Sequence, residues 1–299
     1  MKSTSRASRR CAPGARRTPS TRAAEVASRT RLAVWGDPIG HSRSPLLHTA
    51  AYRHLGLDWT YERRQVDAAA FPAALSSLDD SWRGLSLTMP LKEVAHAAAD
   101  ELDRHAVLTG AVNTLLLGET VRGFNTDVGG IVDSFTHAGI AGVRRGRILG
   151  AGATAASALV ALSDLGTTEV EFRARRPEAV DRLRPTAEAL GVQLRTVDFA
   201  APASDVDVTV ATLPSGTVLD ADVATPLAAV GGTLFEAAYA PWPSALAALW
   251  PSSNVISGFE MLLFQAVRQI RVFCGGDPQR ELPDEAVTVG IMRSAGMGD

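Results

Sequence analysis

Four residues could hold or move a proton, and each follows a short apolar run: Lys92 behind LSLTMP, Asn113 in AVNT, and Asn125 and Asp127 in FNTD. Alternation of Leu85, Leu87 and Met89 reads as a strand. It should stop at Pro90, which has no N–H to give a ladder. Lys92 therefore sits just past a strand end, where open α/β sheets place ligands. A lysine with its ordinary pKa of about 10.4 is a poor base at neutral pH. Burial lowers that value, whereas a nearby carboxylate raises it and orients the amine. A Lys92–Asp127 pair would make a proton relay, with Asp127 as orienter or co-base. The plain alternative is a solvated lysine opening the next helix.

A second motif says what the relay would serve. RILGAGATAASALVAL places Gly150-Ala151-Gly152-Ala153-Thr154-Ala155, a G-x-G-x-x-A pattern, after a strand and at the start of a helix. That context marks a dinucleotide loop. Gly150 permits the tight turn, Gly152 lets backbone approach a pyrophosphate, and small Ala155 allows close helix–strand packing. The helix N-terminus offers free N–H groups to phosphate. An NAD loop ends its next strand in Asp or Glu roughly 20 residues on, to bind a ribose hydroxyl. Here EVEFRARR ends instead in Arg173, Arg175 and Arg176. Guanidinium groups grip a 2′-phosphate, so the expected cofactor is NADP, held by Arg175 and Arg176. A nicotinamide cofactor implies hydride transfer, which needs a group to take or return the hydroxyl proton.

Totals exclude several other functions. Residues 1–30 carry eight basic side chains and one acidic one, leaving 22 basic and 31 acidic residues beyond, a formal charge of −9. An acidic body argues against general nucleic-acid binding. The first 30 residues lack large apolar side chains and are expected to be a disordered basic leader. Their Arg/Ser-rich, acid-poor composition also resembles an organellar transit peptide. No run of about 18 apolar residues predicts a membrane span. Two cysteines, Cys11 and Cys274, make neither a disulfide framework nor a thiolate metal site. No H-E-x-x-H pair is present, so the expectation is a cytoplasmic, metal-free protein.

From residue 31 the chain alternates strand-like and helix-like segments, as βαβ units do. Strands are expected at 31–36, 59–66 and 83–89, and a strand pair at 110–118 and 120–127. SPLLHTAAYRHLGL should be a helix with Ser44 as N-cap and Pro45 at its first position. KEVAHAAADEL should be another, and FPAALSSL a short one. Five strand-like runs then follow the helix VGGIVDSFTHAG, in the manner of a doubly wound nucleotide-binding domain. The final helix FEMLLFQAVRQIRVFCG has apolar residues at 259, 262, 263, 266, 267 and 270, a helical stripe.

Taken together, GDPIGHSRSPLLH, GLSLTMPLKE, GAVNTL, GFNTDVGG, GAGATA and SGFEMLLFQA, in this order, resemble the shikimate dehydrogenase family over about residues 31–280. The resemblance implies NADP-linked interconversion of 3-dehydroshikimate and shikimate in aromatic amino-acid biosynthesis. It also implies an N-terminal α/β substrate domain (31–125) completed by C-terminal helices (259–299), and an inserted Rossmann-type NADP domain (126–258). By the same match, Ser42 and Ser44 would bind the substrate carboxylate. Thr88, Lys92, Asn113 and Asp127 would bind its hydroxyls, with Lys92 and Asp127 catalytic. Gln265 and Tyr239 would be further substrate contacts, and Gly258 would let backbone approach the nicotinamide. The small-molecule substrate would be handled by a monomer or a homodimer.

Four features depart from the family pattern. Ala153 replaces a third glycine, RARR replaces NR[ST], Ser86 takes a frequent asparagine position, and Glu236 stands for an aspartate. Quinate or an aminated shikimate analogue is the rival substrate. A catalytically silent NADP-binding regulator is the rival from another class.

Overall fold

A computed structural model of the chain describes residues 30–297. The expected basic leader, save Thr30, and Cys11 lie outside them. In the first half come β1 (Thr30–Gly36), α1 (Ser44–His54), β2 (Trp59–Gln65), α2 (Phe71–Ser76), β3 (Trp82–Leu87) and α3 (Lys92–Ala98). There follow β4 (Glu101–Leu102), α4 (Arg104–Thr109), β5 (Thr114–Leu116), β6 (Arg122–Phe124) and α5 (Thr126–His137). The six strands form one mixed sheet in the order β2-β1-β3-β5-β6-β4. Strand β1, flanked by β2 and β3, serves two cores by alternation: Leu32 and Val34 join α1's side, Ala33 and Trp35 the side of α2 and α3. Burying each large apolar side chain contributes about 1.5–3 kcal/mol.

The second half holds β7 (Arg145–Leu149), α6 (Ala153–Asp164), β8 (Glu169–Arg173), α7 (Glu178–Asp181), α8 (Arg184–Ala189) and β9 (Gln193–Val197). It continues with β10 (Val208–Ala211), α9 (Ala221–Ala229), β11 (Thr233–Glu236) and β12 (Val255–Ser257). These strands are all parallel in the order β12-β11-β10-β7-β8-β9. The order reverses between β7 and β10, which opens a ligand crevice at their carboxyl ends. Alternation again feeds two faces, with Ile148, Val210 and Phe235 on one and Leu149, Ala211 and Leu234 on the other. Helix α10 (Gly258–Gly275) returns to the first sheet, and α11 (Glu285–Met297) packs on α1.

Several local expectations need correction. The first strand begins at Thr30. Ser44 is already helical, and the residue capping α1 is Arg43. The Ser44 amide is met instead by Ser42 Oγ at 3.3 Å. KEVAHAAADEL does not stay helical to its end. Asp100 and Glu101 give their N–H groups to the Val121 carbonyl, and the sheet edge captures the chain as β4. The parallel sheet has six strands, one more than the sequence suggested, because β9 lies at its edge.

Helices α5 and α10 meet closely through a glycine pair. A Cβ at Gly130 would lie 2.9 Å from both Cβ and N of Gln265, and one at Gly129 would strike Arg268 at 2.3 Å. Arg268 lies across this notch and forks onto Asp133 with bonds of 2.7 and 2.8 Å.

Candidate active site

Lys92 is the first residue of α3, held by buried Leu91 at the helix start. Asp127 is the second residue of α5, not the end of a strand. Asn125 caps that helix by accepting the Asp127 amide at 3.1 Å. The Lys92 Nζ donates to Asp127 Oδ2 at 2.5 Å, with only 15% and 7% of the two side chains exposed. An ion pair this dry must satisfy its other lone pairs to offset desolvation. Asn113 does so by donating from Nδ2 to Asp127 Oδ1 at 2.8 Å. The amide cannot turn over, because Asn113 Oδ1 accepts the Thr126 backbone N–H at 2.9 Å. The carboxylate also lies in the first turn of α5, where the helix dipole favours a negative charge.

The pair lines a cavity of about 250 Å³. Ser42, Ser44, Thr88, Asn113, Tyr239 and Gln265 line it too, as do Gly258 and Thr154. Hydroxyls, amides and one ion pair thus surround a space of small-molecule size. Burial pushes the Tyr239 phenol up from its ordinary value, only partly opposed by Arg43, so it stays protonated. Gly258 is required for a reason independent of ligand, since a Cβ there would sit 2.3 Å from the Ala237 carbonyl oxygen. Asn125 is not drawn into the cavity. Its Nδ2 donates to Thr109 and Ser157, tying α5 to α4 and α6.

The loop Gly150–Ala155 follows β7 at the strand-order reversal. Gly150 has φ +110°, and a Cβ there would strike Thr212 Oγ1 at 2.6 Å. Gly152, the N-cap of α6, has open space where a Cβ would be. Ala153 and Thr154 occupy the first turn of α6, whose amides lack intrahelical partners. Ala151 is half-buried and Ala155 fully buried against the sheet. Just beyond β8, Arg175 and Arg176 are exposed, whereas Arg173 is fully buried and paired with Glu171. The open cradle, the helix start and two free guanidiniums fit a dinucleotide with a 2′-phosphate. Among the described residues no cluster of His, Cys, Asp or Glu could hold a metal ion. No helix among them is long and apolar enough to cross a membrane.

Sequence reasoning missed the floor of the cavity as a set of functional residues. Ser86 and Gln269 line it, and Ser86 donates to Gln269 Oε1 at 2.8 Å. Behind them His48 is wholly buried, bonded to Gln269 and Tyr52 and stacked on Tyr61 at 4.0 Å. The Tyr61 hydroxyl, beside Ser44 and Ser86, makes no hydrogen bond of normal geometry. Two signals were available: Ser86 shares a strand face with Thr88, and Gln269 lies one helical turn from Gln265.

A substrate-sized polar cavity beside a Rossmann-type crevice, with a lysine–aspartate pair between them, defines the class of two-domain dinucleotide-dependent dehydrogenases. The family profile for the shikimate dehydrogenase substrate binding domain matches residues 34–115. A shikimate dehydrogenase (NADP(+)) of Methylobacterium radiotolerans is 34% identical over 271 residues, 86% of this chain and 96% of that protein. This chain belongs to the shikimate dehydrogenase family. The crystal structure of Mycobacterium tuberculosis shikimate dehydrogenase is 38% identical, covers 89% of this chain and 99% of its own, and superposes with a TM-score of 0.77. A Thermus thermophilus shikimate 5-dehydrogenase, solved with NADP(H) and shikimate, gives 29% identity, coverage of 89% and 99%, and a TM-score of 0.72.

Proposed function

We infer that this chain catalyses the reversible, NADP-dependent reduction of 3-dehydroshikimate to shikimate in aromatic amino-acid biosynthesis. The observation that carries this reading is the Lys92–Asp127 contact at 2.5 Å, on the wall of a polar cavity that Thr154 of the dinucleotide loop also lines. Gly150–Ala155 would hold the pyrophosphate of NADPH and Arg175 and Arg176 its 2′-phosphate, and the cofactor would supply hydride for the ring ketone. Gly258 lines the cavity where backbone would border the nicotinamide.

Lys92 Nζ gives its proton to the carbonyl oxygen as negative charge develops there, and takes it back in the oxidative direction. Asp127 fixes the amine, and Asn113 fixes Asp127. Ser42 and Ser44 donate to the carboxylate at the other end of the ring. Thr88, Asn113 and Gln265 hold ring hydroxyls, and Tyr239 closes the side toward the second sheet. Held at both ends, the ring reacts as an oriented partner, which removes much of the entropic barrier. The cytoplasm is the proposed location, and the enzyme works as a monomer or homodimer, to be measured by size exclusion with light scattering.

The test is reduction of NADP and of NAD, followed by absorbance, with shikimate and then with quinate, on the purified full chain. Fast turnover with shikimate and NADP is the expected result. Preference for quinate or NAD overturns the assignment of the carboxylate pocket or of the arginines. Silence with all four pairs, in a chain that still binds NADP, points to a regulator.

A further inference from the structure

Ser86 lies on β3, two residues before Thr88, which follows the end of the strand, and both line the cavity. Ser86 is buried, and it lines the cavity beside Gln269. Along the chain Ser86–Gln269–His48–Tyr52 each hydrogen bond has one direction. The Asn113 backbone carbonyl can only accept, so Gln269 must present its Nε2 there, at 3.3 Å. Gln269 Oε1 then points the other way and accepts from Ser86 at 2.8 Å and from His48 Nε2 at 3.1 Å. That fixes the proton of His48 on Nε2 and leaves Nδ1 to accept from the Tyr52 hydroxyl at 2.9 Å. Burial lowers the His48 pKa to about 3 despite the bond to Gln269, so the ring stays neutral through the physiological range. The single proton of Ser86 is therefore committed inward, and only its lone pairs remain for a ligand.

We propose that Gln269 is a positioning residue that turns the Ser86 proton away from the cavity, so that Ser86 meets the substrate as an acceptor and selects a ring hydroxyl there over a carboxylate oxygen. The proposal rests on the substrate reading given above. Its consequence is orientation. A carboxylate, which has only lone pairs to offer, is repelled at Ser86 and drawn to the hydroxyls of Ser42 and Ser44. The ring then enters one way round.

Initial rates with shikimate and NADP test this on the wild type, Ser86→Ala, Gln269→Met and the double variant. NADP binding, followed by fluorescence, serves as the control for folding. Each single change should raise the shikimate KM about fivefold to tenfold, the size of one neutral hydrogen bond, without altering the KM for NADP. The double variant should be no worse than Ser86→Ala alone, because Gln269 acts through Ser86. Gln269→Glu keeps an acceptor for Ser86 and, with its buried carboxyl protonated, a donor for the Asn113 carbonyl, and should restore most of the affinity. Additive losses, or an unchanged KM in Ser86→Ala within an active enzyme, overturn the proposal alone. A wild type silent with shikimate overturns the substrate reading and the proposal together. Should Gln269→Met fail to fold, the crystal structure of the wild type with shikimate decides. A ring hydroxyl on Ser86 Oγ supports the proposal, and a carboxylate oxygen there overturns it.

Discussion

Each half of the molecule holds a dry group of opposite charges, and the two are finished differently. In the second half Glu171 accepts from Nε of both Arg147 and Arg173 at 2.7 Å and from Ser204 at 2.8 Å. Arg173 spends its remaining donors on the carbonyls of Asp198, Phe199, Ala201 and Pro202. The cluster thereby clamps the segment between β9 and β10 onto the sheet face, where a doubly wound domain would place a helix. In the first half Lys92 gives Asp127 one of its three donors and turns toward a cavity. Arginine cannot surrender its proton in a protein, whereas lysine can. Structure uses the cation that never changes state: Arg173 spends nearly all its donors, and of Arg147 only Nη1 is buried without a partner among the described residues. Chemistry uses the one that can, with donors to spare.

The contrast can be broken most sharply at Lys92. Lys92→Ala should lower kcat by about 10²–10⁴-fold, the worth of a positioned proton donor, with a much smaller change in the shikimate KM. Steady-state rates check this, and equal losses in both constants would refute a mainly catalytic role. Glu171→Gln should do the reverse. Two guanidiniums left without their carboxylate should cost about 3–5 kcal/mol of stability in denaturant unfolding, while kcat per folded molecule stays unchanged. Exchanging Arg175 and Arg176 for alanine tests cations that neither group employs. NADP affinity should fall by about 1.5–3 kcal/mol per lost charge-assisted bond, with NAD affinity unaffected, and an unaltered preference would sink the assignment.

A more gradual effect is expected from pH. Burial drops the His48 pKa from 6.5 to about 3, so between those values the unfolded chain binds a proton that the folded one refuses. Stability from this residue is complete above pH 6.5. It is lost as pH falls toward 3, by up to about 1.4 kcal/mol per pH unit. Urea melts of wild type and His48→Phe across that window should diverge by this slope.

What could be read from the sequence follows from how local each cause is. Lys92, Asn113 and Asp127 stand out because short apolar strands and their ends place them together at one end of β3, β5 and β6. The glycine loop is equally local. Asn125 shares that position yet serves as a cap and an inter-helix tie, since its partners Thr109 and Ser157 come from other elements. The edge strand β9 was missed because QLRTV is at most half-buried and only Leu194 and Val197 are apolar, too weak an alternation to mark a strand. Arg173 and Arg175 look equivalent in EVEFRARR. Which one is buried is decided by residues 198–204, beyond the reach of any local pattern. The Ser86–Gln269–His48 chain joins β3, α10 and α1, and only packing brings it together.

Gly129 and Gly130 carry one more consequence. These positions line no part of the cavity, yet they govern its bore: the distance between α5, which carries Asp127, and α10, which carries Gln265, is gauged by two hydrogen atoms in place of side chains. A single methyl at Gly130 wedges α10 outward and draws Gln265 away from Asn113. The range of rings such an enzyme accepts can therefore be altered from behind its wall, by a change that meets neither substrate nor cofactor.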